Sequence, residues 1–253
     1  MEADDLHIGT SVYRSRLIVG TGKYPSEDIA KESIINSGSE LVTLALKRYD
    51  KNDSNNILRP IGTKKLLPNT AGVLTADEAI RSSKISRELF QTNLIKLEII
   101  SSSQDLDPNM KETLIAAKKL VQDGFEVYVY CDRDVNHCLA LEDFGCVAIM
   151  PLGASIGSGR GFDSINELEA LRKKIEQILI VDAGLGAPSE AGRCMEMGFD
   201  AVLVNTAIAK ADNPPLMAEA FKHAVESGRA AYFAGRIQRS EAGSPSSPTK
   251  FLS

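Results

Sequence analysis

A lysine and a glutamate interrupt an otherwise apolar stretch, Asn93–Ile100, which reads NLIKLEII. A short apolar run of this kind predicts a strand, and because side chains alternate across a strand, Lys96 and Glu98 share one face. If both faces are covered, an ammonium and a carboxylate lie inside the protein. Desolvation shifts a lysine towards the neutral amine that attacks a carbonyl carbon to form a Schiff base. A purely structural Lys–Glu ion pair, or an edge strand whose charges face water, would give the same pattern.

The rest of the chain alternates short apolar runs with amphipathic segments. The apolar runs predict strands at 17–20, 41–46, 65–68, 94–99, 126–130, 146–150, 178–182 and 201–205. The amphipathic segments predict helices at 26–36, 76–90, 109–123, 134–144, 163–174, 189–197 and 215–227. Strands separated by helices form parallel βαβ units that are buried on both faces. Eight strands predict a single (β/α)₈ barrel (TIM barrel), although a doubly wound open sheet would show a similar alternation.

The two ends of the chain lie outside this repeat. Residues 6–15 predict a small hairpin at the bottom of the barrel, and the Ser- and Pro-rich end predicts a flexible tail. We therefore expect a barrel over residues 1–236 and a tail over residues 237–253. Glycines that follow the helical segments predict helix ends. They are Gly38, Gly124, Gly145, Gly198 and Gly228.

Composition limits the classes of partner. Of the 253 residues 43% are hydrophobic and 25% are charged, which is a globular balance, and the net charge is −5. The acidic balance argues against nucleic acid or an anionic membrane, and no apolar run approaches the roughly 20 residues that span a bilayer. An acidic N-terminus and four cysteines without C-x-x-C spacing predict a reducing, cytoplasmic compartment. The three histidines are scattered, so no metal and no cofactor is expected.

Small and glycine-rich loops follow the last three predicted strands. They read PLGASIGSG at 151–159, DAGLGAP at 182–188 and NTAI at 205–208. Catalytic groups of a (β/α)₈ barrel gather at the C-terminal strand ends, and the loops after the last two strands often bind phosphate. Glycine lets the backbone approach a ligand closely, and free N–H groups favour an anion. The alternative is that these are ordinary turns between strands and helices.

Asp182 ends the seventh predicted strand and, by alternation, points the same way as Ile180. It is therefore expected at the barrel mouth with Glu98. Its structural alternative is to cap the next helix or to bind the turn at 184–186. A lysine, two carboxylates and a phosphate site suit carbon chemistry on a phosphorylated sugar, in which a carboxylate removes a proton next to an imine carbon.

Seven segments spread along the chain carry a family resemblance. In chain order they are Gly20–Lys23, Leu67–Gly72, Lys96–Glu98, Met150–Gly153, Ile156–Ser158, Val181–Gly184 and Val204–Ile208. In this order and at this spacing they resemble the bacterial and plastid thiazole synthases of thiamin biosynthesis, over roughly residues 6–247. The chain departs from the family pattern at Lys47, at residues 100–103 and at Ser155, and none of these positions is a mapped site residue.

The resemblance implies a concrete activity. Thiazole synthases of this kind build thiazole phosphate from 1-deoxy-D-xylulose 5-phosphate, dehydroglycine (2-iminoacetate) and sulfur, which arrives as a thiocarboxylate on a small ubiquitin-like carrier protein. The resemblance implies that Lys96 forms the Schiff base and that Glu98 and Asp182 are the acid–base groups. The implied contacts to the sugar phosphate are Gly157, Ala183, Gly184, Asn205 and Thr206.

Further expectations follow from the resemblance. We expect a homo-oligomer, with a tetramer favoured, and a location in the cytoplasm or in the plastid stroma. Two other classes stay open. A Schiff-base aldolase or isomerase acting on a sugar phosphate would share Lys96 but would need no sulfur-carrier protein. A non-catalytic ligand-binding barrel would be expected to lack the lysine.

Overall fold

Eight parallel strands form one sheet in the part of the chain that the structure describes. The structure is a computed structural model, and it describes residues 4–49, 64–102, 104, 106–237, 240–243 and 246. The strands are β1 (Leu6–Ile8), β2 (Ser11–Tyr13), β3 (Leu17–Gly20), β4 (Leu41–Ala45), β5 (Lys65–Asn69), β6 (Leu94–Leu97), β7 (Glu126–Cys131), β8 (Ala148–Pro151), β9 (Ile180–Asp182) and β10 (Ala201–Val204). The helices are α1 (Glu27–Asn36), α2 (Ala76–Phe90), α3 (Met110–Gln122), α4 (Val135–Asp143), α5 (Ile165–Arg172), α6 (Pro188–Glu196), α7 (Thr206–Ala209) and α8 (Pro214–Ala234). A single 3₁₀ turn, Leu46–Arg48, follows β4.

The sheet closes into a barrel between β8 and β9. Its strand order is β8-β7-β6-β5-β4-β3-β10-β9, and every neighbouring pair is parallel. The two end strands meet through parallel bridges that pair Ile149 with Leu179 and Leu152 with Asp182. The (β/α)₈ barrel that the sequence predicts is therefore confirmed, and the open-sheet alternative is excluded because it would leave two unpaired edges.

Alternation along each strand divides the core into two layers. Outward-facing residues such as Ile95 and Leu97 pack beneath the helices. Inward-facing residues such as Leu94, Tyr128 and Ile180 fill the barrel. Since both layers exclude water, a charged side chain on the inner face is held inside the protein unless it reaches one of the barrel's ends.

The N-terminal hairpin closes the bottom of the barrel, as the sequence predicts. Leu6, Ile8 and Tyr13 are buried in the inner layer of the core. Thr10, in the turn, donates its backbone N–H and its hydroxyl to the carboxylate of Glu126 at the start of β7. The hairpin thus covers the N-terminal strand ends, and the C-terminal ends remain for a site.

Several element boundaries differ from the predictions. β6 ends at Leu97, and Ile99 continues its direction only through an isolated bridge to Val73. β8 and β9 both begin two residues later than predicted, at Ala148 and Ile180. The sequence does not predict α7, because its four residues are too few to show a helical period.

The end of the last helix contradicts one predicted boundary. The sequence predicts that this helix stops at residue 227 and that Gly228 follows it, but α8 continues to Ala234 and ends at Gly235, where φ is +75°. Gly228 is buried where α8 packs on α6. A Cβ atom at this position would lie 2.2 Å from the carbonyl oxygen of Gly192. Gly228 therefore allows close approach of two helices and does not end one.

Two other predictions concern the C-terminal tail and membrane-spanning segments. Of the predicted tail, the structure describes residues 237, 240–243 and 246, and the other tail residues lie outside the described part of the chain. The division into a barrel and a tail therefore stays a prediction. Among the described helices, none has the length and apolar character needed to cross a membrane.

Replacing Gly228 with alanine tests its packing role. In an unconstrained helix interior this change stabilises by about 0.5–1 kcal/mol. Here the new Cβ would push α6 from α8, and overpacking costs about 1–3 kcal/mol. We expect urea denaturation to show a lower free energy of unfolding. A variant as stable as the parent would contradict this role. Ser227→Ala, at the exposed neighbouring position, should stay within about 0.5 kcal/mol.

Candidate active site

A cavity of about 390 Å³ lies at the C-terminal ends of the strands, opposite the hairpin. It is lined by every site residue that the sequence predicts. These are Lys96, Glu98, Gly157, Asp182, Ala183, Gly184, Asn205 and Thr206. The fold thus brings together groups from the ends of β6, β8, β9 and β10, which are far apart in the sequence.

Lys96 is clamped between two carboxylates at the floor of this cavity. Its Nζ lies 2.7 Å from Glu98 Oε2 and 2.9 Å from Asp182 Oδ2. The side chains of Lys96 and Asp182 are each only 5% exposed. The ring of Tyr130 lies beside the ammonium, with its centroid 5.2 Å from Nζ. Lys96 and Asp182 therefore face the same side of the sheet, as alternation predicts.

The carboxylates reverse the expected effect of burial on the lysine. Desolvation by itself would lower the pKa of Lys96, as the sequence leads one to expect. The charges of Asp182 and Glu98 and their hydrogen bonds outweigh desolvation, so the pKa of Lys96 is raised above its ordinary value. Burial raises the pKa of Asp182, and the nearby Lys96 charge only partly opposes that rise. The expectation of a neutral amine is therefore wrong, because the two carboxylates favour the ammonium form of Lys96.

Glu98 is positioned by the loop that follows β5. The hydroxyl of Thr70 donates to the carbonyl oxygen of Glu98, and the backbone N–H of Glu98 donates back to the same hydroxyl, both at 2.9 Å. Thr70 itself is buried. These two bonds hold the backbone of Glu98 just past the end of β6. The carboxylate of Glu98 can therefore contact Lys96, which precedes it by two residues.

The loops at the other side of the cavity use left-handed backbone conformations. Gly157, Ala183 and Gly184 have φ values of +75°, +65° and +80°. Gly184 also lies against another loop, because a Cβ there would come within 2.3 Å of the backbone nitrogen of Ala154. A side chain at Gly184 would therefore meet the protein itself, so this glycine is required by loop packing whether or not a ligand is bound.

Asn205 and Thr206 complete this side of the cavity. The Oδ1 atom of Asn205 is buried and has no hydrogen-bond partner within the described part of the chain. The hydroxyl of Thr206 accepts a hydrogen bond from Lys23 Nζ at 3.2 Å. A buried acceptor without a donor is costly, so Asn205 has capacity for a ligand or water.

Three residues that the sequence does not single out make contacts with the site. Lys23 donates to Thr206, Thr70 holds Glu98, and Tyr130 lies beside Lys96. Lys23 and Thr70 stand inside two of the seven segments that carry the resemblance, but the motifs by themselves indicate no role for them. Lys47 also borders the cavity, with its Nζ bound to the carbonyl oxygen of Gly72. Alternation in β7 could have placed Tyr130 on the inner face. Among the described residues, no group of His, Cys, Asp or Glu side chains is arranged to hold a metal ion.

Comparison with known proteins points to one family. The profile of the family described as "Thiazole biosynthesis protein ThiG" matches residues 7–248. A thiazole synthase of Vibrio parahaemolyticus is 49% identical over 246 residues, covering 95% of this chain and 96% of the relative. A thiazole synthase of Photobacterium profundum is 51% identical over 246 residues, with the same coverage.

A solved structure agrees with these sequence matches. A chain in the crystal structure of the Amycolatopsis orientalis BexX/CysO complex superposes with a TM-score of 0.85 and is 27% identical. The superposition covers 94% of this chain and 98% of that chain. The whole barrel is therefore shared with this relative, and the likeness extends well beyond the strands.

Removing the lysine tests the charge balance of the cavity floor. Lys96→Ala would leave two buried carboxylates without a cation, and breaking such a pair costs about 3–5 kcal/mol. Without the opposing lysine charge, the pKa of Asp182 would rise further above the unfolded value of about 4. A carboxyl with a raised folded pKa binds its proton more tightly in the folded state, so stability is lost as the pH rises.

We therefore expect the deficit of Lys96→Ala in free energy of unfolding to be larger at about pH 8 than at about pH 5. Urea denaturation at the two pH values measures it. An equal deficit at both would mean that the carboxylates are already solvated. Lys119→Ala is the matched control, because Lys119 pairs with Asp123 on the surface and its loss should matter little at either pH.

Proposed function

The chain belongs to the ThiG family of thiazole synthases, and from that premise we propose how its residues build the thiazole of thiamin. A thiazole synthase is a sulfur-transferring enzyme of thiamin biosynthesis, and the family profile matches almost the whole chain. We infer that the substrates are 1-deoxy-D-xylulose 5-phosphate, dehydroglycine and the thiocarboxylate of a small ubiquitin-like carrier protein. The observation that carries the mechanism is the position of Lys96 Nζ, 2.7 Å from Glu98 and 2.9 Å from Asp182.

The first step is imine formation at C2 of the sugar phosphate. The Lys96 ammonium must lose a proton before its nitrogen can attack the C2 carbonyl carbon. Asp182 is a suitable acceptor, because its burial raises the pKa of its carboxyl group. The C–N bond forms, the carbonyl oxygen is protonated, and it leaves as water with the second proton of the amine. The imine nitrogen of Lys96 stays between the two carboxylates.

The same carboxylates can then rearrange the imine. A carboxylate removes a proton from the carbon next to C2, and its conjugate acid later protonates an oxygen that departs as water during ring closure. Glu98 and Asp182 approach Lys96 from different strands, so one can act as base while the other is protonated. The buried ring of Tyr130 lies beside the lysine, with its centroid 5.2 Å from Nζ, and stabilises the ammonium form through a cation–π contact.

The phosphate is assigned to the loops after β8, β9 and β10. Gly157, Ala183, Gly184, Asn205 and Thr206 all line the cavity there. In this proposal the backbone N–H groups of Gly157 and Gly184 hold phosphate oxygens, while the N–H of Ala183 donates to the Asp182 carboxylate. The unpartnered Oδ1 of Asn205 suits a sugar hydroxyl, since an acceptor would repel the phosphate oxygens. A sugar phosphate that lies from these loops towards Lys96 places its carbonyl next to the amine.

The sulfur donor is proposed to be a carrier protein that docks at the barrel mouth. The relative in the BexX/CysO structure was solved as a complex, and its chain shares this barrel. A thiocarboxylate at a peptide C-terminus reaches the imine only through an extended tail in the cavity. The loop at 153–159 borders that opening. The predicted homo-oligomer stays a prediction.

Borohydride trapping tests the Schiff base. Reduction in the presence of 1-deoxy-D-xylulose 5-phosphate should fix the sugar on Lys96, and mass spectrometry of the tryptic peptides should locate it there. Lys96→Ala should give no adduct. An adduct that forms equally well in Lys96→Ala would place the reactive amine elsewhere, and a parent protein that never forms one would refute the mechanism.

Amide variants of the carboxylates separate imine formation from later proton transfer. Glu98→Gln and Asp182→Asn each remove one negative charge beside Lys96, which lowers the pKa of the lysine and leaves the other carboxylate in contact to take its proton. The trapped adduct should therefore still form in both variants, more slowly in Asp182→Asn. Thiazole phosphate formation should fall by roughly 10²–10⁴-fold, as is typical for the loss of a general acid–base group. Glu219→Gln, on the exposed side of α8, should keep full turnover. Parental turnover in both amide variants would assign the proton transfers to other groups.

A further inference from the structure

The floor of the cavity repels a phosphorylated substrate when both of its carboxylates are ionised. With both carboxylates ionised, Lys96, Glu98 and Asp182 together carry one net negative charge. A phosphate monoester is itself an anion, so the floor repels it unless cations elsewhere in the cavity compensate. Among the lining residues that the structure describes, the other cationic side chains are Lys23 and Lys47.

We propose that Lys23 binds the phosphate group of the sugar substrate and is the residue that selects the phosphorylated form. This inference rests on the function proposed above, because it assigns a side chain to the phosphate of that substrate. Lys23 lies in the loop after β3, outside the loops that the glycine pattern predicts. Backbone N–H groups can orient a phosphate, but a lysine supplies a full opposing charge.

The ammonium of Lys23 lies between two loops assigned to the phosphate. Its Nζ donates to the hydroxyl of Thr206 at 3.2 Å, at the start of α7. A Cβ atom added to Gly157 would lie 3.3 Å from Lys23 Nζ, so the ammonium is also close to the backbone of that glycine. The lysine thus reaches from the β3 loop across β10 to the loop after β8. An oxygen bound at Gly157 and Thr206 would be within reach of the ammonium.

The backbone at Lys23 supports a functional constraint on this residue. Its φ is +71°, in the left-handed region that residues with a side chain rarely adopt. The backbone just before Lys23 packs closely on Asn205, since a Cβ atom added to Gly20 would lie 2.8 Å from Cγ of Asn205. In this unfavourable backbone conformation the Lys23 side chain lines the cavity and donates to Thr206.

Lys47 lies on the opposite side of the cavity. It extends from the 3₁₀ turn after β4, and its Nζ donates to the carbonyl oxygen of Gly72, which follows β5. It is therefore directed away from the loops after β9 and β10. Lys47 has the same charge and side-chain length as Lys23 and lines the same cavity, so it provides a matched control for the phosphate contact.

Binding measurements on two sugars test the proposal. Isothermal titration with 1-deoxy-D-xylulose 5-phosphate and with its unphosphorylated sugar separates the phosphate contact from the rest of the substrate. Lys23→Gln should raise the Kd of the phosphorylated sugar by about 10- to 100-fold, the loss expected for one charge-assisted hydrogen bond. The Kd of the unphosphorylated sugar should not change. Lys23→Arg should restore most of the discrimination, and Lys47→Gln should change it by less than about threefold.

Salt dependence in the unaltered protein gives a second measurement. Lys23 is exposed, so added salt should weaken binding of the phosphorylated sugar, and this dependence should be smaller in Lys23→Gln. Borohydride at saturating sugar phosphate should still label Lys96 in Lys23→Gln, because the lysine acts on binding and leaves the reacting carbon untouched.

Three results would overturn the proposal. The Kd of the phosphorylated sugar could be unchanged in Lys23→Gln, both sugars could lose affinity equally, or Lys47→Gln could account for the discrimination. Failure of the underlying function has a different signature. In that case the unaltered protein would form no adduct on Lys96 at any sugar phosphate concentration, whatever residue stands at position 23.

Discussion

The buried contact of one ammonium with two carboxylates is the constraint on which the rest of the structure depends. Lys96 and Glu98 belong to one segment, at the end of β6 and just past it, and Asp182 ends β9 in another part of the barrel wall. The 2.9 Å contact between Lys96 and Asp182 therefore requires β6 and β9 to end at matching heights, while Glu98 lies 2.7 Å from the same ammonium. Burying three charges is unfavourable for stability unless each is paired. The hairpin at the bottom and the two apolar layers of the core supply a rigid frame that tolerates this cluster at the mouth.

The same cluster explains why a buried lysine here remains charged. Burial alone would favour the amine, but the carboxylates hold the proton and raise the pKa of Lys96. In the proposed mechanism the nucleophilic lysine has its proton acceptors already in contact. That mechanism links activation of the amine to later acid–base steps, since a proton given to Asp182 would stay within reach of the substrate. The three side chains that the proposal makes reactive are also the ones whose buried charges must balance for stability.

The two lysines Lys23 and Lys47 lie on different sides of the cavity. Loops rich in small residues and Lys23 lie towards β10, whereas Lys47 and the Thr70 contact to Glu98 lie towards β5 and β6. A phosphorylated sugar bound from the first side leaves the second side open to other reactants. Gly184 lines the cavity and meets the backbone of Ala154 directly, so loop packing and ligand binding impose the same residue choice there.

The sequence by itself determined the order of eight strands and their helices, the inner face of Lys96 and the strand-end position of Asp182, because period-two alternation and helical periodicity are local signals. Closure of the sheet into a barrel was decided by the bridges between the ends of β8 and β9, which the alternation does not encode. The sequence also pointed to Gly157 and Thr206 through motifs that recur in a family. It misassigned Gly228, since contact with Gly192 on another helix leaves no local trace. Only the tertiary structure decided the charge of Lys96, the hold of Thr70 on Glu98 and the reach of Lys23 to Thr206. Each of these depends on distances between residues far apart in the chain, which no periodicity encodes.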